Sequence, residues 1–128
     1  MMRRGLPAAI AAACAMLPAA AIACGVCVED KVAATYDHAV VSRAIDRRQV
    51  VVFAEIRGPG AAEALAARAR TATRRVGGIE RASVRTAVAP AALSFALDPA
   101  VRGPEAALAA IQLAAGPGLR LTLLKVMP

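Results

Sequence analysis

Two cysteines near the N-terminus are the residues best suited to do chemistry in this 128-residue chain. Cys24 and Cys27 are separated only by Gly25 and Val26. Two thiolates at this spacing can converge on one metal ion, or the two thiols can close a small disulfide. Because soft sulfur ligands select soft metals, the pair predicts a site for Cu(I) or another thiophilic ion.

His38, the only histidine of the chain, is a candidate third ligand. It follows Cys27 by 11 residues. On one continuous helix, that spacing corresponds to a rise of about 16 Å, which is far beyond a shared coordination shell. We therefore expect His38 to join the metal site only if the helix breaks, and otherwise to be a surface or half-buried histidine.

A predicted export signal directly precedes the cysteine pair. Residues 1–23 begin with Arg3 and Arg4, continue with an apolar run and end in the small residues Ala21–Ile22–Ala23. This order is typical of a secretory signal peptide. Its cleavage would give a periplasmic or secreted protein that begins at Cys24. The alternative is a membrane-anchored lipoprotein in which Cys24 is acylated, and acylation would remove that thiol as a ligand.

Residues 24–48 form the CxxC segment and one predicted amphipathic helix. Acidic Glu29 and Asp30 suit its first turn, where the helix dipole favours negative charge. Apolar residues then recur every four positions, as expected for a helix that buries one stripe. These positions are Val32, Tyr36, Val40 and Ala44.

Residues 49–128 predict the order strand, helix, strand, strand, helix, strand. The strands are expected at 49–56, 79–87, 92–97 and 119–126, where β-branched and other apolar residues are frequent. The helices are expected at 61–76 and 103–115, with Gly77–Gly78 and Gly116–Pro117–Gly118 after them. This order is the ferredoxin-like arrangement, an α+β fold with both helices on one face of a four-stranded sheet.

Residues 49–126 resemble the heavy-metal-associated domain of copper chaperones and metal-pumping ATPases. The resemblance is carried by the strand order and by three segments. One is Gly78–Val84, where the family has a Gly-Val-x-x-Val-x-Val strand entry; the others are Leu97–Asp98–Pro99 and the second-helix stretch Ala110–Gly116. The resemblance implies a ferredoxin-like fold. It also implies a metal loop after the first strand, which in the family reads Gly-Met-x-Cys-x-x-Cys.

That loop lacks its cysteines in this chain. It reads Gly58–Ala64, with Ala61 and Ala64 at the two cysteine places. Fold alone does not carry metal binding from one protein to another. We therefore predict a relocated site, in which the added N-terminal helix packs on the module and presents Cys24 and Cys27. The expected function is soft-metal handling, with a metal-transport or metal-acceptor protein as the partner.

Two other functions stay open from the residues. A thiol-disulfide redox protein would also use a CxxC motif at a helix start. Thioredoxin-like enzymes, however, place a strand directly before the motif and a cis-proline loop after it, whereas here the motif lies at the mature N-terminus. The other alternative is a non-catalytic partner-binding or structural module with lipidated or disulfide-bonded cysteines.

The charge balance bounds the remaining functions. The net charge of +7 arises from 16 basic and 9 acidic residues, and nearly all the cations are arginine. This composition is typical of a solvated basic surface, with an anionic partner as the alternative. With so few aromatic residues we expect no nucleic-acid binding, and we expect membrane association only if Cys24 is lipidated. No nucleophile elbow surrounds any serine, so we expect no enzyme activity.

Overall fold

An antiparallel four-stranded sheet lies at the centre of the structure, a computed structural model that describes residues 27–128. The predicted signal peptide and Cys24 lie outside these residues. The strands are β1 (Val50–Arg57), β2 (Arg85–Val88), β3 (Ala91–Leu97) and β4 (Arg120–Met127). The α-helices are α1 (Val28–Thr35), α2 (His38–Asp46), α3 (Ala62–Thr73) and α4 (Pro104–Ala115).

The strand order confirms the predicted α+β fold class. The order across the sheet is β2-β3-β1-β4, and each neighbouring pair is antiparallel. Together with the chain order βαββαβ from Val50 onward, this is compatible with the ferredoxin-like arrangement. Strand β1 is therefore central, and β2 and β4 are the two edges.

Helices α3 and α4 cover one face of the sheet. One face of α3 is buried, with Leu65 at 5% exposure and Ala69 at 0%. In α4, Leu108 and Ile111 are buried against the same core, which also contains the fully buried Phe95. Small alanines on both helices let the helices lie close to the sheet, so this core is thin but closed.

Helices α1 and α2 cover the opposite face. Val32 of α1 and Val40 and Ala44 of α2 are buried against Val51 and Phe53 of β1. This confirms the prediction that the N-terminal segment packs on the module. The central strands β1 and β3 are consequently covered on both faces.

The N-terminal segment forms two helices, so the prediction of a single helix is wrong. Tyr36 and Asp37 have extended backbone conformations between α1 and α2. The Asp37 carboxylate accepts hydrogen bonds from the backbone N–H groups of Ala39 at 2.9 Å and Val40 at 3.3 Å. A short carboxylate that satisfies these free N–H groups favours a helix start over a helix interior. The break also turns Tyr36 out of the predicted stripe, leaving it 45% exposed.

The second strand is shorter than predicted. Ile79 makes only an isolated bridge to Leu97, and a 3₁₀ turn at Arg81–Ser83 precedes β2. The Ser83 hydroxyl donates to the Glu80 carbonyl at 2.6 Å and accepts from the backbone N–H of Ala96 at 2.7 Å. A side chain thus satisfies a β3 amide that a longer β2 would have paired.

Candidate functional site

Cys27 lies at the solvent-exposed start of α1. It is the N-cap residue of this helix, and its carbonyl accepts the backbone N–H groups of Asp30 and Lys31, both at 3.1 Å. The Asp30 carboxylate accepts the backbone N–H of Cys27 at 3.4 Å. Cys27 is a free thiol and the one cysteine within residues 27–128. Solvent and solutes can therefore reach the sulfur.

Helix α1 is attached to the sheet by polar contacts at two of its turns. The Lys31 ammonium lies 2.9 Å from the Glu55 carboxylate of β1, and both side chains are mostly buried. Near the end of the helix, the Ser94 hydroxyl of β3 donates a buried hydrogen bond of 3.1 Å to the Thr35 carbonyl. These contacts, together with the burial of Val32, fix the helix that carries Cys27.

Glu55 is the electrostatic centre of this attachment. Burial raises the pKa of its carboxyl, but hydrogen bonds from Lys31 and Arg57 outweigh burial and leave the pKa below its usual value. The carboxylate thus stays charged at neutral pH and holds the Lys31 ammonium of α1. The sequence did not predict this pair, because its partners are 24 residues apart and only the docking of α1 brings them together.

A second ion pair holds the junction between α1 and α2. The Arg85 guanidinium of β2 donates to the Asp37 carboxylate at 3.1 Å. This hydrogen bond is the main cause that lowers the pKa of Asp37, and the backbone N–H of Val40 lowers it further. Asp37 therefore both caps α2 and ties the helix break to the edge of the sheet.

An apolar groove of about 270 Å³ lies along α1, the helix that follows Cys27. It runs between α1 and β4, and its lining includes the exposed side chains of Val28 and Tyr36. Glu29 and Lys125 place one charge of each sign in its lining. The groove was not predicted from the sequence, because Tyr36 was assigned to the buried stripe.

His38 does not form a ligand group with Cys27 in the described part of the chain. It is the first residue of α2 and is exposed, and its Nε2 lies 3.3 Å from the Ser42 hydroxyl. Across residues 27–128, no three His, Cys, Asp or Glu side chains are grouped to hold a metal ion. The helix break removes the argument from helical rise, but His38 as a third ligand stays a prediction, as does the Cys24–Cys27 pair.

The loop after β1 has a structural role. Helix α3 begins at Ala62 and has Ala61 as its N-cap, so the alanines at the family's cysteine places start this helix. A Cβ atom on Gly58 would lie 2.5 Å from the Gly118 carbonyl oxygen, so only glycine fits this approach of the two turns. The described residues of this loop offer no thiol.

The chain matches no protein-family model, no curated protein and no solved structure. Its likeness to heavy-metal-associated domains therefore stays a prediction from its motifs. None of the helices in the described region is long and apolar enough to cross a bilayer.

The site consists of one accessible sulfur on a fixed helix. The described residues supply a single thiol, that of Cys27, and the helix that follows it lines an apolar groove. A complete site for a soft metal requires a second donor, and Cys24 is the candidate that the sequence provides. Such a site would lie at the surface, where a second protein can approach it.

Proposed function

We propose that this protein binds a thiophilic metal ion such as Cu(I) through the thiol pair of Cys24 and Cys27 and passes it to a metal-transport or metal-acceptor protein. The ion is cargo in this proposal. Two thiolates separated by two residues suit the low coordination number of Cu(I), and soft ligands disfavour the harder divalent cations. The observation that carries the proposal is the exposed position of Cys27 on a helix attached to the sheet.

The attachment of α1 supports metal handling. A thiol on a freely moving tail would lose chain entropy when it bound an ion, and this cost falls when one ligand is already held in place. Lys31 and Val32 hold the first turns of α1, directly after Cys27. The exposed sulfur also leaves a bound ion accessible to the ligands of an acceptor protein.

The loop after β1, which lacks the family's cysteines, bears on where a metal site can lie. Ala61 and Ala64 cannot bind metal, so a metal-handling role for this fold requires donors elsewhere. Among residues 27–128, Cys27 is the sole thiol, and it directly precedes α1, which covers the sheet face opposite α3. We therefore place the metal site on the N-terminal helices rather than on the loop that precedes α3.

Native mass spectrometry of the exported protein after loading with Cu(I) under reducing conditions tests the proposal. We expect one copper ion per chain in the wild type and none in Cys27→Ser or Cys24→Ser. His38→Asn tests the third-ligand prediction separately: unchanged copper affinity excludes His38 from the site, and weaker affinity with both cysteines present includes it. Undiminished copper uptake by Cys27→Ser would refute the proposal.

A partner-binding module is the second candidate, and the apolar groove favours it. Val28 is 49% exposed and Tyr36 is 45% exposed, and both line the groove along α1. Adjacent exposed apolar side chains of this kind mark interaction surfaces. In this candidate the cysteines are acylated or joined as a disulfide and take no part in metal binding.

Intact mass and thiol titration of the exported protein distinguish the two candidates. Two free thiols agree with metal binding. An added acyl mass, or a loss of two hydrogens with no titratable thiol, favours the partner-binding module. A positive insulin-reduction assay would instead favour thiol-disulfide exchange as the activity.

A further inference from the structure

Three arginines whose side chains have no partner among residues 27–128 surround a depression at the C-terminal end of α3. Arg74, Arg75 and Arg81, together with Thr71, line a depression of about 300 Å³. Thr71, Arg74 and Arg75 share one side of the helical turn because of their i, i+3 and i+4 spacing. Arg81 belongs to the 3₁₀ turn that follows and closes the other side.

These three guanidinium groups are not neutralised within the described residues. None of them pairs with a carboxylate or donates a side-chain hydrogen bond there. Glu80, the carboxylate next to Arg81 in the chain, is engaged by Arg47 at 3.2 Å. The positive charge of the depression is therefore uncompensated.

Other arginines of the same region have identifiable structural roles. The Arg68 guanidinium donates to the carbonyls of Ala115 and Pro117 at 2.8 and 3.1 Å, which are free at the end of α4. Arg70 donates to the Thr86 hydroxyl at 2.7 Å. Arg74, Arg75 and Arg81 differ from them because their side chains donate to no acceptor in the described part of the chain.

The helix dipole does not account for the whole cluster. Cations near a helix C-terminus are stabilised by the dipole, which can explain Arg74 and Arg75. Arg81 lies beyond the helix, and its positive charge adds repulsion. A multivalent anion relieves this repulsion and accepts hydrogen bonds from several guanidinium groups, whose planar donor pairs match phosphate oxygens.

We propose that the depression lined by Thr71, Arg74, Arg75 and Arg81 binds a phosphate group, either free or on the headgroup of an anionic phospholipid. The Thr71 hydroxyl supplies a neutral donor beside the three cations. The site lies on the α3 side of the sheet, whereas Cys27 is the N-cap residue of α1, which covers the opposite side. Phosphate binding is therefore independent of the metal-binding proposal.

Titration of the full chain with inorganic phosphate and pyrophosphate, followed by NMR or calorimetry, tests free-phosphate binding. Sedimentation with phosphatidylglycerol vesicles, compared with phosphatidylcholine vesicles, tests the headgroup. The test variant is Arg74→Gln/Arg75→Gln. The matched control is Arg43→Gln/Arg120→Gln, which removes the same charge from two exposed arginines elsewhere.

We expect the test variant to weaken binding at least about tenfold, and the control variant to weaken it by less than about twofold. Arg81→Gln, outside the helix, should also weaken binding and serves if the double variant does not fold. If the test variant loses phosphate or pyrophosphate binding, free phosphate is the ligand. If it loses only the binding to phosphatidylglycerol vesicles, the ligand is the lipid headgroup. Absence of binding in both assays, or equal weakening in the test and control variants, overturns the proposal.

Discussion

The docking of α2 on the sheet makes a quantitative stability prediction for Val40→Ala. Val40 is 4% exposed and lies in the core that includes Phe53. The substitution removes two buried methyl groups, worth about 1.6 kcal/mol at about 0.8 kcal/mol each. A residual cavity of about 40 Å³ adds up to about 1 kcal/mol. The higher helix propensity of alanine offsets about 0.5 kcal/mol of this loss. We expect a net loss of about 1–2 kcal/mol in the free energy of unfolding.

Urea unfolding followed by far-UV circular dichroism measures this loss. With a denaturant slope of about 2 kcal/mol/M, the midpoint should fall by about 0.5–1 M. Ile45→Ala is the matched control, because Ile45 lies in the same helix but is 57% exposed. This substitution raises the helix propensity by a similar amount and removes little buried surface, so the free energy of unfolding should change by less than about 0.5 kcal/mol. Equal effects of the two substitutions would refute the docking of α2.

Three further predictions follow from individual contacts. The Arg85 hydrogen bond holds the pKa of Asp37 below its usual value of 3.8, so Asp37→Asn should destabilise the protein at neutral pH. The difference in stability between wild type and variant should disappear as the pH falls through the lowered pKa. A difference that stays constant from pH 7 to pH 2 would contradict this. Gln112→Ala removes the acceptor of a 2.6 Å hydrogen bond from a backbone amide of edge strand β4; that amide should exchange faster with deuterium, at a cost of about 1 kcal/mol in stability, and unchanged exchange would argue against the contact. Gly78→Ala should lower the free energy of unfolding by about 1–3 kcal/mol, because φ is +91° and a Cβ would lie 3.0 Å from the Val101 side chain. Gly77→Ala is the control, since a Cβ there meets no atom within 4 Å, and it should be nearly neutral. Equal losses in thermal or urea unfolding would contradict the conformation of this turn.

The fold was predictable from the sequence because its elements carry strong local signals. The apolar residues of 50–56 and the glycines after α3 and α4 set the strand and helix order. Element ends shifted where one side chain competes with regular structure. The Asp37 side chain caps α2, and the Ser83 hydroxyl accepts a hydrogen bond from a backbone amide of β3. Hydrophobic periodicity predicts neither contact.

The site was less predictable because it depends on contacts between distant elements. Cys27 lies exposed at a helix start, whereas the position of Cys24 stays a prediction. The Lys31–Glu55 pair and the arginine depression at Arg74, Arg75 and Arg81 require the packed structure, since each joins residues from different elements. The charge count of the sequence indicated a basic surface without showing where the cations gather.

The two-sided sheet has a consequence for the order in which the chain can fold. The core under α1 and α2 also receives Leu124 and Met127 from β4, so both ends of the described chain contribute to it. Synthesis at about 5–20 residues per second separates α2 from β4 by roughly 4–16 s. During that interval Val32 and Val40 have no completed sheet to pack against. The helices that are made first are consequently fully buried only after the last strand has been made.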